Sequence, residues 1–177
     1  MDIIILKDFF GFCFYNDYYE KFKTRSILPL GIICSLIKPK IEEKGTLPYL
    51  EVKYLRNQTS AKIINKGMFL DINSHIILVD GENSGEVFDI KEKGYMGSTF
   101  MELIIPKCLN ERYIKYFIDS KKVLLKNNKK GSAIPHLNKE MFRTLDIYLP
   151  CITKQNNIVY LLDKLSIEML KIKAELI

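Results

Sequence analysis

The chain has 177 residues, 47% of them apolar, with 27 Lys and Arg against 21 Asp and Glu and a net charge of +6. That length suits one domain, or one domain with an appendage, and the apolar share excludes an intrinsically disordered chain. The basic excess favours a polyanionic partner such as nucleic acid, although a lysine-rich solvated surface would give the same balance.

Residues 1–27 form an aromatic arm, with Phe9, Phe10, Phe12, Phe14, Tyr15, Tyr18, Tyr19 and Phe22. Periodicity does not decide between helix and strand there. The arm reads as a docking segment or as the remnant of a longer parent chain. Its apolar run, IIIL, is flanked by Asp2, Lys7 and Asp8 and is too short for a secretory signal. No stretch approaches the roughly 20 apolar residues of a membrane helix, so the expectation is a cytoplasmic protein with no membrane partner. Cys13, Cys34, Cys108 and Cys151 show no C-x-x-C spacing and read as small buried hydrophobes of a reducing compartment.

From Leu30 onward the pattern changes to short strands. LGIICSLI, YLEVKYL, HIILVD, GEVFDIK and MELIIP each read as a strand bounded by Gly, Pro, Asn or Lys. Gly81-Glu82-Asn83-Ser84-Gly85 supplies turn chemistry between the third and fourth. Asn110 reads as the N-cap of a helix, NERYIKYFIDSKKVLL, with Tyr113, Ile114, Phe117 and Ile118 as its apolar face. The helix runs into a lysine-rich edge at Lys121, Lys122, Lys126, Lys129 and Lys130. That edge is either a solvated helix end or a phosphate-contacting one.

GSAIPHLNKEMFRTLDIYLP follows, holding His136, a stiff Ile134-Pro135 pair and a closing strand before Pro150. The final segment carries the most regular pattern. Ile158, Leu162, Leu165, Met169, Ile172 and Leu176 are spaced 4, 3, 4, 3 and 4, an a/d seam that requires a partner helix. The expected architecture is α+β: a mixed, strand-rich domain over residues 28–150, then a long coiled-coil helix over 151–177.

No catalytic constellation emerges. The chain has no Pro-Pro pair for an amino-methyltransferase loop, no phosphate-binding or dinucleotide-binding glycine loop and no G-x-S-x-G elbow. Glu51-Val52-Lys53 has the form of half a metal-dependent nuclease site, but the nearest upstream aspartate is Asp17, far back in the arm; an alternating strand with outward polar residues explains it better. His75 and His136 have no nucleophile at a pairing distance in sequence, and His136 reads as a loop hydrogen-bonder. No metal ligands, cofactor or catalytic residues are assigned.

Three stretches resemble one half of the DNA specificity subunit of type I restriction–modification systems. LPLGIICSLIK and LPYLEVKYLR look like the opening strands of its target recognition domain. HIILVDGENSGEVFDIKEKGYMGSTF looks like its central hairpin and the G-x-x-G-S-T strand that follows. GSAIPHLNKEMFRTLDIYLPCITKQNNIVYLLDKL looks like its closing motif, in which Cys151-Ile152-Thr153-Lys154 replaces the usual second proline and glutamate while Gln155 remains.

The resemblance implies a non-catalytic recognition subunit that reads one half of a split DNA site. Its partners would be double-stranded DNA, a DNA adenine methyltransferase subunit and, indirectly, the restriction/translocase subunit. With one recognition domain and one long helix, the chain reads as a half-subunit or a fragment. Related recognition domains are also fused to methyltransferases. Lys53, Arg56, Lys121, Lys122, Lys126, Lys129 and Lys130 would neutralise phosphates; Asn57, Asn83, Ser84 and Ser132 are candidates for polar contacts with the DNA. Two chains pairing through Ile158–Leu176 would form a symmetric homodimer. The competing class is a coiled-coil protein–protein adaptor whose basic charge is incidental.

Overall fold

The computed structural model describes residues 27–131 and 135–175. The aromatic arm, except Ile27, lies outside them, as do Ser132 and Leu176. The domain opens with β1 (Ile27–Pro29), α1 (Leu30–Ile33), β2 (Ser35–Ile37), β3 (Ile41–Glu42), β4 (Leu47–Leu50) and α2 (Val52–Leu55). It continues through β5 (Lys62–Ile64), β6 (Gly67–Leu70), β7 (His75–Leu78), β8 (Val87–Asp89), β9 (Gly94–Met96) and β10 (Phe100–Ile104). It closes with α3 (Glu111–Ser120), α4 (Lys122–Asn127), α5 (Lys139–Thr144), β11 (Asp146–Tyr148) and α6 (Ile152–Glu175). A mixed, strand-rich domain followed by a long C-terminal helix is therefore the observed architecture.

Three sheets organise the described residues. β2-β10-β7-β8 form an antiparallel sheet, β3-β6-β9-β4-β5 a mixed one in which β4 and β9 run parallel, and β1 pairs antiparallel with β11. Strand β7 explains the layering. All four of its residues are buried, so it is covered on both faces. Ile77, with Val79 just beyond it, points into one core with Leu103, Ile114, Ile118, Phe142 and Ile147. Ile76 and Leu78 point into a second core with Leu50, Leu70, Met96 and Phe100. Alternation along one strand thus serves two cores, each buried aliphatic contributing about 2 kcal/mol.

Two expected strands are corrected. LGIICSLI is split, with Leu30–Ile33 a helical turn. Leu30 and Ile33 both turn into the core, and the Leu30 N–H donates to the Leu145 carbonyl at 2.8 Å. YLEVKYL stops being a strand after Leu50, because Leu55 N–H closes a helical turn on Glu51 C=O at 3.0 Å and Val52, Tyr54 and Leu55 pack on the second core. The alternating-strand reading of Glu51-Val52-Lys53 therefore fails.

The single helix expected from Asn110 breaks at Lys121 into α3 and α4. The break swings Leu125 inward to complete burial beside Gly85 and Leu137. Elsewhere the local signals hold. Asn110 Oδ1 accepts from Tyr113 N–H at 3.0 Å as an N-cap, and Gly81 and Gly85 take φ of 113° and 100° at the turn between β7 and β8.

Candidate nucleic-acid interface

Strand direction gathers the loops at one end. β4, β7 and β9 finish there and β8 and β10 begin there, since Leu50 pairs with Met96 in parallel and Leu78 with Phe100 antiparallel. The segment around His136 is stitched onto the same end. Leu137 N–H donates to Val79 C=O at 2.7 Å, Gly81 N–H to Pro135 C=O at 2.8 Å, and Lys130 and His136 exchange backbone hydrogen bonds of 3.0 and 2.8 Å. His136 Nδ1 lies 2.7 Å from Asp80 Oδ1. The half-exposed imidazole is a partner for a turn carboxylate, in keeping with a loop hydrogen-bonder.

The β7–β8 turn ties down two of the expected phosphate-binding residues, Arg56 and Lys129. Arg56, at the C-terminus of α2, pairs with Glu86. Lys129 Nζ sits 3.1 Å from both the Glu82 carbonyl and its carboxylate. Lys130 Nζ lies 2.6 Å from Glu140. Lys122 is 4.0 Å from Asp119, and Lys121 stands over the Phe117 ring at 5.4 Å. Lys53 and Lys126 are exposed, with no carboxylate partner among the described residues. The cations therefore divide: Arg56, Lys129 and Lys130 are held by the fold, whereas Lys53, Lys121, Lys122 and Lys126 have weaker ties or none.

Of the expected polar readers, Asn57 is exposed on a left-handed backbone with φ of 56° and Asn83 is half-buried in the turn, its carbonyl accepting from Glu86 N–H at 3.1 Å. Ser84 is a correction. It is 1% exposed, because the turn folds its side chain inward, and it cannot reach a base edge. Ser132 lies outside the described residues. Reading by spacing missed Asp80, Ser98 and Thr99, which join this end through contacts between segments far apart in sequence. The G-S-T of the strand motif was the available signal for the last two.

A family model, the type I restriction modification DNA specificity domain, matches residues 16–177. The chain belongs to this family. The specificity domain is also 34% identical over 125 residues to the specificity subunit of the type I restriction enzyme MjaVIII from Methanocaldococcus jannaschii, covering 68% of this chain and 29% of that protein. Its fold is shared with a solved chain from work on complex assembly and conformational transition of a type I R-M system, at a TM-score of 0.64 and 16% identity, covering 84% of this chain and 40% of that one. It is shared equally with the HsdS subunit from Thermoanaerobacter tengcongensis, at a TM-score of 0.63 and 17% identity, covering 84% and 39%. The specificity domain thus spans about 30 to 40% of the length of the proteins it matches.

In this specificity domain the long helix is bolted on through the motif glutamine. Gln155 is fully buried; its Oε1 accepts from Asn110 N–H at 3.0 Å and its Nε2 donates to Pro150 C=O at 2.7 Å. Asn110 Nδ2 also donates to Asn156 Oδ1 at 2.7 Å. Two turns on, Asp163 takes a bidentate pair from Arg112 and a 2.6 Å bond from Tyr116. Beyond Asp163 the described helix leaves the domain. Leu165, Met169 and Ile172 of the expected seam are 60%, 59% and 54% exposed, while Ile158 and Leu162 near the junction are half-buried.

At the far end of the sheet from the loops, the specificity domain holds a charged cluster. Buried His75 places Nδ1 2.7 Å from Asp89, which also takes Lys115 at 2.7 and 2.8 Å. The His75 Nε2 lies 3.0 Å from a Glu111 carboxylate oxygen without hydrogen-bond geometry. Burial pushes the Asp89 carboxyl up, but Lys115 and His75 together outweigh it and hold it below the ordinary value. Glu102 goes the other way: burial raises it, and Ser74 and His75 offset only part of the rise. Among the described residues, no three His, Cys, Asp or Glu side chains gather as a metal site, and no helix is long and apolar enough to cross a membrane.

Proposed function

We propose that this chain is the sequence-reading, non-catalytic recognition module of a type I restriction–modification system, acting in the cytoplasm on one half of a split duplex site. The observation that carries the reading is the family match over residues 16–177. The gathering of Lys53, Arg56, Lys122, Lys126 and Lys129 about one loop-bearing end supports it physically. Phosphates would be met by the less encumbered lysines, while Asn57 and Asn83 would approach base edges. The junction through Gln155 and Asp163 would fix the reading end relative to the long helix, and so fix the distance between two half-sites. The helix would seat a DNA adenine methyltransferase subunit. Its exposed apolar residues would pair with the helix of a second copy, giving a homodimer on a symmetric split site.

A salt titration of duplex binding by the full chain separates this reading from the adaptor. With about four unencumbered lysines, the slope of log K against log salt should be roughly −3 to −4. A flat profile with no sequence preference would leave only the adaptor.

A further inference from the structure

One depression at the loop end has a chemistry that phosphate binding does not explain. It encloses about 310 Å³ between the ends of β4 and β9, with Tyr49, Glu51 and Lys53 on one wall and Gly97, Ser98 and Thr99 on the other. The walls are latched. Ser98 N–H donates to the Tyr49 hydroxyl at 3.1 Å, and Gly97 N–H to Leu50 C=O at 3.0 Å. A side chain at position 97 would put its Cβ 2.9 Å from the Leu50 oxygen, so the close approach needs glycine.

Glu51 is the anomaly. The neighbouring carboxylates of this end each have a side-chain partner: Asp80 has His136, Glu82 has Lys129 and Glu86 has Arg56. Glu51 is half-buried in the depression and has no ion pair or side-chain hydrogen bond among the described residues, although Lys53 lines the same space. An uncompensated carboxylate on a face that meets polyphosphate lowers affinity unless it finds a hydrogen-bond donor there. Duplex DNA offers such a donor at the exocyclic amino group of cytosine or adenine in the major groove.

We propose that Glu51 is a specificity-determining residue, its carboxylate accepting from the exocyclic amino group of one cytosine or adenine. Ser98 and Thr99 complete the rim, and Lys53 contacts the flanking phosphate. The inference rests on the DNA-reading function proposed above. An unread base leaves the carboxylate facing DNA without a donor, so Glu51 rejects wrong sites as well as favouring the right one.

The test is selection from a randomised duplex library by the full chain, comparing wild type with Glu51→Gln and Ser98→Ala, each checked for an unchanged thermal transition. Wild type should enrich a motif containing a cytosine or adenine position whose preference falls roughly tenfold in Glu51→Gln. Binding of that variant to random duplex should tighten, and Ser98→Ala should weaken the same position. If wild type enriches a motif and Glu51→Gln enriches it equally at every position, Glu51 is not a reader and the DNA-reading function stands. If wild type enriches nothing, both fall together.

Discussion

Asp89 and Glu102 make opposite statements about pH. Asp89 is held low in the fold, so its stabilisation is complete above the unfolded carboxylate value of about 3.9 and is lost as pH falls through its lower folded value. Glu102 is raised, so its contribution is complete below the unfolded value of about 4.3 and is lost as pH rises through the folded one. Asp89→Asn should therefore lower stability at pH 7 by about 1 kcal/mol or less, since Asp89 is half-exposed, and the penalty should fade below about pH 4. Glu102→Gln should raise it at pH 7 and lose the advantage in acid. Melting curves from pH 3 to 8 would show whether the two slopes have opposite signs. Residue roles of this kind were hardly legible in the sequence. Arg56 meets Glu86, and His136 meets Asp80, across chain separations that only the sheet closes. Ser84 looked like any turn serine until the turn buried it.

At the scale of elements, the junction and the long helix behave as separate parts. Gln155→Ala would leave the Asn110 N–H and the Pro150 carbonyl unpaired in a buried place and should cost about 2–4 kcal/mol, read by urea unfolding. Leu165→Asp with Met169→Asp falls on exposed positions beyond the junction. It should leave the domain's unfolding free energy within about 0.5 kcal/mol of wild type while abolishing the proposed self-association in light scattering. Equal loss of folding stability would mean that this face packs on the domain. The helix was legible because a 3.5-residue repeat is a local pattern, and so was its N-terminal glutamine. β7 was legible from its apolar run. α2 was not: EVKYL alternates in sequence, yet its register against β9 ends the strand at Leu50 and the next residues curl over the second core.

At the scale of the whole molecule, the described residues place the loops proposed to read DNA at one end of the sheets and the helix junction beside α3. Net charge alone could not say this, because Arg56, Lys129 and Lys130 are already paired with carboxylates of the chain itself. Lys53→Glu with Lys126→Glu should weaken binding to all duplexes about equally and flatten the salt slope by roughly 2, while the enriched motif stays the same. Substituting Arg56 should instead destabilise the β7–β8 turn. The fold class was legible from strand and helix periods, whereas the loop-end surface was not, because it is assembled from four segments that no spacing links. In the proposed function, this chain chooses the DNA sequence that the enzyme methylates. Mapping methylated adenines in cells with the chain present, deleted and restored tests it most directly: a bipartite adenine motif should vanish on deletion and return on restoration, and a methylation pattern indifferent to the chain would contradict the claim.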